Sequence, residues 1–203
     1  MDLSIKTYGI IAQGVVIKNG IDIFSSTEPV QDFLTALYRH LDVAYPKFFK
    51  MDHLSKLGFL SAELLNVQVD DTNRSDTAVF IWNRSASLDT DENYQTTIAE
   101  TNYFPSPSVF VYTLPNIVIG EMCIRHKIFG ENTFFVTEKF DVDAMVLFVN
   151  QTFRDTDVKQ AIVGWVECYK GNYEAIMFYV TRDQIDANKF NIETINKLLQ
   201  WKN

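Results

Sequence analysis

The sequence predicts an α/β fold, a mixed β-sheet in a layered α-β-α arrangement. Two short runs, Thr77 to Trp82 and Gln160 to Cys168, are apolar almost throughout, as strands are when both faces of a sheet are covered. Other segments carry apolar residues at helical spacing, most clearly Val30, Phe33, Leu34, Leu37, Tyr38 and Leu41. Strands and helices alternate along most of the chain, which favours a sheet with helices on its faces, while Asn19-Gly20 and Gly171-Asn172 mark antiparallel hairpins.

Taken in order, Tyr8 to Ile17 is apolar with Gly9 and Gly14 inside it, one or two strands with close backbone approach at the glycines. Ile21 to Phe24 is the return strand. Glu28-Pro29 opens the first amphipathic helix. A basic-aromatic connector, Tyr45 to Met51, precedes a second helix, with Asp52 as its cap and an end near Asn66. A polar loop from Asp70 to Asp76 leads into the buried strand Thr77 to Trp82. Asp89 to Asn102 reads as a helix with a thin apolar stripe of Tyr94 and Ile98. Thr133 to Val136 is a short strand, Phe140 to Thr152 a helix, Gln160 to Cys168 a strand, Glu174 to Val180 its antiparallel return, and Ile192 to Trp201 a short amphipathic helix.

With 203 residues, no internal repeat and no linker, one domain spanning 1–203 is expected. A net charge of −8 weighs against a nucleic-acid partner, which needs clustered Lys and Arg. Cys123 and Cys168 are far apart and form neither a disulfide framework nor a metal motif, so reduced thiols and a cytoplasmic location are expected. No apolar run is long enough for a membrane span, no signal-peptide pattern opens the chain, and the histidines lack metal-ligand spacing, so no metal and no cofactor are expected.

The stretch Phe104 to His126 is read as loop, short strand, tight elbow and helix. Pro105 and Pro107 keep the entry extended, and Val109, Phe110 and Val111 form a β-type run. Thr113 is positioned to cap the next helix, with Pro115 in its first turn. Ile117, Val118, Ile119, Met122, Cys123 and Ile124 make that helix largely buried, and Gly120 in its middle implies a close neighbour. Such elbows present nucleophiles in many α/β enzymes, yet Tyr112, Thr113, Leu114 and Pro115 include no activated one.

Three segments together resemble the N-terminal half of β-ketoacyl synthases, and most nearly the short ketosynthase-like or chain-length-factor-like chains of aryl polyene and flexirubin-type gene clusters. They are Lys50-Met-Asp-His-Leu-Ser-Lys-Leu-Gly-Phe-Leu-Ser-Ala-Glu63, Val79-Phe-Ile-Trp-Asn-Arg-Ser85, and Ser106 to Asn116 with Gly120. The likeness covers roughly residues 45 to 170. It implies a thiolase-like fold, half of a ketosynthase, in which the third segment is the strand-elbow-helix that presents the acyl-accepting cysteine. Matching Asn116 to the family's helix asparagine puts Phe110 in the cysteine's place. The family's two catalytic histidines and lysine, from its later half, have no counterpart in this sequence. Phe110, Tyr112, Thr113, Asn116 and Gly120 would then line the elbow and acyl tunnel. Ser108, Val109 and Val111, on a strand Ser108–Thr113, would add to a partner's equivalent strand.

The remaining candidates have plain readings beside functional ones. Cys123 and His126 share a helix face and invite a Cys–His dyad, but a mid-helix thiol lacks the N-terminal dipole that lowers a cysteine's pKa; a small buried thiol beside a helix-end histidine is favoured. Cys168, Met122, Met145 and Met177 read as packing. His40 reads as a helix-end cap, and His53 as surface. Ser106 and Ser108 read as caps rather than nucleophiles. The acidic groups Asp89, Asp91 and Glu92, and Asp141 with Asp143, read as solvated helix starts. Lys47, Lys50 and Lys56 around Phe48 and Phe49 suit either an exposed connector or an acidic acyl carrier protein. The expectation is a non-catalytic subunit acting with a full-length ketosynthase. The alternative is a small stand-alone acyl transferase or an acyl-binding homodimer using Cys123 and His126.

Overall fold

Three hairpin turns organise the antiparallel part of the sheet. Gln13-Gly14, Asn19-Gly20 and Lys170-Gly171 each place two successive residues at positive φ, the backbone that two-residue hairpins require and glycine supplies without strain. The last turn therefore sits one residue earlier than Gly171-Asn172. The computed structural model describes residues 2–182 and 188–202. The turns join β1 (Ser4–Ala12), β2 (Val15–Lys18) and β3 (Ile21–Ser25), and later β8 (Gln160–Tyr169) and β9 (Asn172–Thr181). Between these groups the chain forms α1 (Val30–His40), a 3-10 turn at Pro46–Lys50, α2 (His53–Leu65), β4 (Thr77–Asn83), α3 (Leu88–Thr97) and the two-residue strands β5 (Ile98–Ala99) and β6 (Asn102–Tyr103). Then follow α4 (Pro107–Phe110), a 3-10 turn at Val111–Thr113, α5 (Ile117–His126), β7 (Asn132–Val136) and α6 (Val142–Asp155). After β9 come β10 (Asn188–Lys189), α7 (Ile192–Leu198) and a 3-10 end at Leu199–Lys202.

The main sheet runs β3-β2-β1-β9-β8-β4-β7, with β10 added beside β1. Pairing is antiparallel from β3 to β8 and parallel across β8-β4-β7, so the expected mixed sheet is present. Side-chain alternation splits the core in two. Val79, Ile81, Ile162, Val166, Met177 and Tyr179 face α1, α2 and α5. Ala78, Phe80, Trp82, Val163, Trp165, Phe178 and Val180 face α6 and α7. This is the layered α-β-α arrangement. Asp52 caps α2, its carboxylate accepting from Ser55 N at 2.9 Å, and Asn66 ends that helix in the left-handed region. Gly58 lets α5 approach α2: a Cβ there would lie 2.3 Å from Val118 Cγ2.

Among the described residues no single helix is long and apolar enough to cross a membrane. Pro107–Thr113 and Ile117–His126 meet at a 98° bend, and the second of these helices buries Val118, Ile119 and Met122 against the core.

Candidate functional site

A strand that turns tightly into a helix occurs one βα unit downstream of the expected one, at β7 and α6. Among the described residues strand β7 pairs only with β4, in parallel, and runs through 137–141 into α6. Asp141 starts that helix by accepting from Ala144 N at 2.9 Å, a charged N-cap at the positive end of the dipole. Thr137 N donates to Asn83 O at 2.8 Å, and the Thr137 hydroxyl donates to Lys139 O. Phe140 fills the inner side of the elbow, its ring 5.7 Å from Trp165. The elbow residues are Thr137, Glu138, Lys139, Phe140 and Asp141, with no thiol among them.

The expected elbow at 108–115 is helical instead. Ser106 caps α4, accepting from Val109 N, and Pro107 takes the first helical position. This capping chemistry outweighs the β preference of Val109, Phe110 and Val111. Ser108 and Val109 therefore lie on a helix and Val111 on a 3-10 turn, so none of them forms the expected pairing strand. Phe110 is 53% exposed and sits against Tyr94. Thr113 does not cap α5: its hydroxyl donates back to Phe110 O at 2.7 Å. Asn116 precedes α5 without a side-chain capping bond. Gly120 has no atom within 4 Å of where a Cβ would stand, so close packing does not account for it. Ile124 is exposed, so α5 is buried on one side only.

Tyr112 turns inward and donates to Glu121 Oε1 at 3.1 Å. Lys47 Nζ closes on Glu121 Oε2 at 2.8 Å. Burial first, and the Glu121 charge second, hold the Tyr112 phenol well above its ordinary pKa. Sequence reasoning missed this triad; its signal was one glutamate inside the apolar run Ile117 to Ile124. Lys56 is buried and donates to Gln31 Oε1, and Phe48 is fully buried. The basic-aromatic surface therefore reduces to exposed Lys50 and Phe49, with Lys47 paired.

A cleft of about 640 Å³ opens beside the start of α2, lined by Lys50, Asp52, His53, Asp89, Asn93 and Tyr112 among others. His53 is half-buried rather than on the surface, with Nδ1 3.2 Å from Asp89 Oδ2 and Nε2 3.1 Å from Gln31 Oε1. Asp89 also accepts from Lys170 N at 2.9 Å, so it is tied into the fold beyond its helix start. Asp52 bonds both Ser55 N and the Thr90 hydroxyl, yet burial raises its pKa, outweighing those bonds. A carboxyl raised on folding contributes stability that is full below its unfolded value and lost as pH rises through the folded one. Asp52→Asn keeps an acceptor for Ser55 and removes that loss. Its stability relative to wild type is expected to rise as pH rises above about 4, read from urea midpoints. A difference that does not change with pH would contradict this.

Cys123 and His126 are not joined. His126 Nε2 lies 3.3 Å from Glu63 Oε1, and Arg125 grips the Glu63 carboxylate through two bonds of 2.8 and 3.0 Å. Burial pushes the Cys123 thiol up to about 11 and pushes the His126 imidazole down. Cys168 is buried on β8.

No protein-family model matches the sequence, and no curated protein matches it. Solved structures do match. The fold is that of the ketosynthases and chain length factors. A chain of the ishigamide ketosynthase/chain length factor structure superposes with a TM-score of 0.66 at 12% identity, over 91% of this chain and 63% of that one. A chain of the ApeO ketosynthase in complex with its chain length factor ApeC, from Xenorhabdus doucetiae, gives 0.55 at 16% identity over 90% and 80%. A β-ketoacyl synthase from Burkholderia phymatum gives 0.60 at 10% identity over 90% and 59%. This chain thus spans less than two thirds of the first and third of these ketosynthase-fold chains.

Proposed function

We propose that this protein is a non-catalytic, chain-length-factor-like subunit that acts with a full-length ketosynthase in fatty acid or polyketide-type synthesis of the aryl polyene kind. One observation supports the reading: the turn between β7 and α6, which we take as the counterpart of the ketosynthase elbow, carries Phe140 and no thiol. Decarboxylative condensation needs a thiolate to hold the acyl chain. An elbow without one supports a shaping role beside a partner that supplies the chemistry. On this reading Phe140, not Phe110, is the aromatic at the elbow. Phe110, with exposed Val111 and Leu114, belongs on this reading to the surface that meets the partner. An acyl carrier protein is the expected acidic visitor to Lys50 and Phe49, and the cytoplasm the expected compartment.

The partner surface is the free edge of β7. Glu131 O accepts from Val79 N and Thr137 N donates to Asn83 O, so alternate residues from 131 to 137 address β4. The backbone groups of Asn132, Phe134 and Val136 then point away from the sheet. Exposed edges are normally covered or charged; here Val136 on the edge strand is exposed. The test is the native mass of the complex purified from the protein's own cells, with each component identified. A one-to-one complex with a ketosynthase is the expected result. A lone monomer or a homodimer overturns the reading.

A further inference from the structure

The ends of α2, α3 and β8 bring together three side chains that the acyl-chain reading does not use. His53, Asp89 and Cys168 each offer a ligand atom, and all three atoms lie within 4.8 Å of one another. Ligand atoms around a tetrahedral zinc stand roughly 3.3–3.8 Å apart, so side-chain adjustment alone would close the set. The histidine is already oriented. Gln31 Oε1 accepts from Lys56 Nζ at 3.1 Å; because an ammonium can only donate, the amide oxygen, not its nitrogen, occupies that position. His53 Nε2, 3.1 Å from the same oxygen, must therefore carry its proton. Nδ1 is thereby left facing the Asp89 carboxylate at 3.2 Å. Between these two atoms sits either the ring's own proton or a bound cation. Zinc-bound histidines show this same outer bond, the far N–H donated to an oxygen. The third group is a thiol on a residue only 2% exposed, with no hydrogen bond among the described residues.

We propose that His53 Nδ1, Asp89 and Cys168 Sγ form a zinc site whose fourth position opens to the adjoining cleft. The donor set, one imidazole, one carboxylate and one thiolate, suits zinc over magnesium or calcium, which take oxygen ligands. Three protein ligands with one position left to water or a small anion is the pattern of an exchangeable site. Binding displaces the thiol proton, so zinc uptake releases about one proton from Cys168. The proposal stands independently of the ketosynthase-partner reading.

The test uses the full chain, equilibrated with zinc sulfate, desalted and assayed for metal by mass spectrometry. About one zinc per chain is expected, lost in His53→Ala and in Cys168→Ser, and kept in Cys123→Ser. Gln31→Ala, which removes the outer bond together with the acceptor of Lys56, is expected to weaken binding about 10- to 100-fold. Cobalt(II) added to the unaltered protein is expected to give a thiolate-to-metal absorption band in the near ultraviolet, which needs no variant to fold. Absence of that band, or zinc content no higher than trace, overturns the proposal and leaves an imidazolium–carboxylate pair as the occupant. Zinc retained in Cys168→Ser, or a band that vanishes in Cys123→Ser, overturns it equally.

Discussion

Val136→Pro is expected to abolish assembly with a ketosynthase while this chain stays folded. Proline lacks the backbone N–H, and at residue 136 that group points to the free edge of β7 rather than to β4. No internal ladder bond is lost, and edge positions tolerate proline. The residue before it, Phe135, is already extended, as proline demands. What disappears is a donor that an added strand would need, and the ring obstructs close approach. A donor removed from a buried main-chain pairing leaves its partner unsatisfied at about 1–3 kcal/mol. With the obstruction added, association should weaken by at least about 100-fold. Val136→Thr keeps the N–H and the shape, so it should assemble normally. Co-expression with the candidate ketosynthase and native mass spectrometry reads both. If the proline variant co-purifies undiminished, the partner does not pair along β7.

The position of that edge was only half legible in the sequence. Thr77 to Trp82 and Gln160 to Cys168 were readable as central strands because two covered faces demand near-continuous apolar residues. Asp52 was readable as the cap of α2 because capping is local chemistry. A strand was expected at 108–113 because Val109-Phe110-Val111 and Phe134-Phe135-Val136 carry the same β-type signal. Periodicity does not separate them. Ser106 and Pro107 do, since together they start a helix, and that local preference decides the conformation of α4. The cluster of His53, Asp89 and Cys168 left no trace at all. Its members lie far apart in the chain, and only the convergence of two helix starts on the end of β8 makes them neighbours. The inward turn of Tyr112 toward Glu121 is likewise tertiary: a buried glutamate needs a donor and a cation, and Lys47 comes from a connector some seventy residues earlier.

In the folded protein Cys123 is expected to resist alkylation, and this separates a partner subunit from a stand-alone acyl transferase. A cysteine nucleophile reacts as its thiolate and is activated by an adjacent imidazolium, a helix N-terminus or a metal. Cys123 has none of these. It lies mid-helix on α5, and burial raises its pKa from 9.0 to about 11. Two pKa units reduce the thiolate fraction near neutral pH about 100-fold. His126 is engaged with Glu63 rather than with the thiol, and burial favours its neutral form, so it supplies no compensating charge. Iodoacetamide at about pH 7.5 should therefore label Cys123 at least about 100-fold more slowly in the native chain than in the unfolded one. Mass spectrometry of the digested protein reads the site directly. Fast native labelling that is lost in His126→Ala would mean that the two side chains form a working dyad, and the enzyme reading would replace the subunit reading. Slow labelling that is indifferent to His126 leaves α5 without a working nucleophile and supports the subunit reading over the enzyme reading.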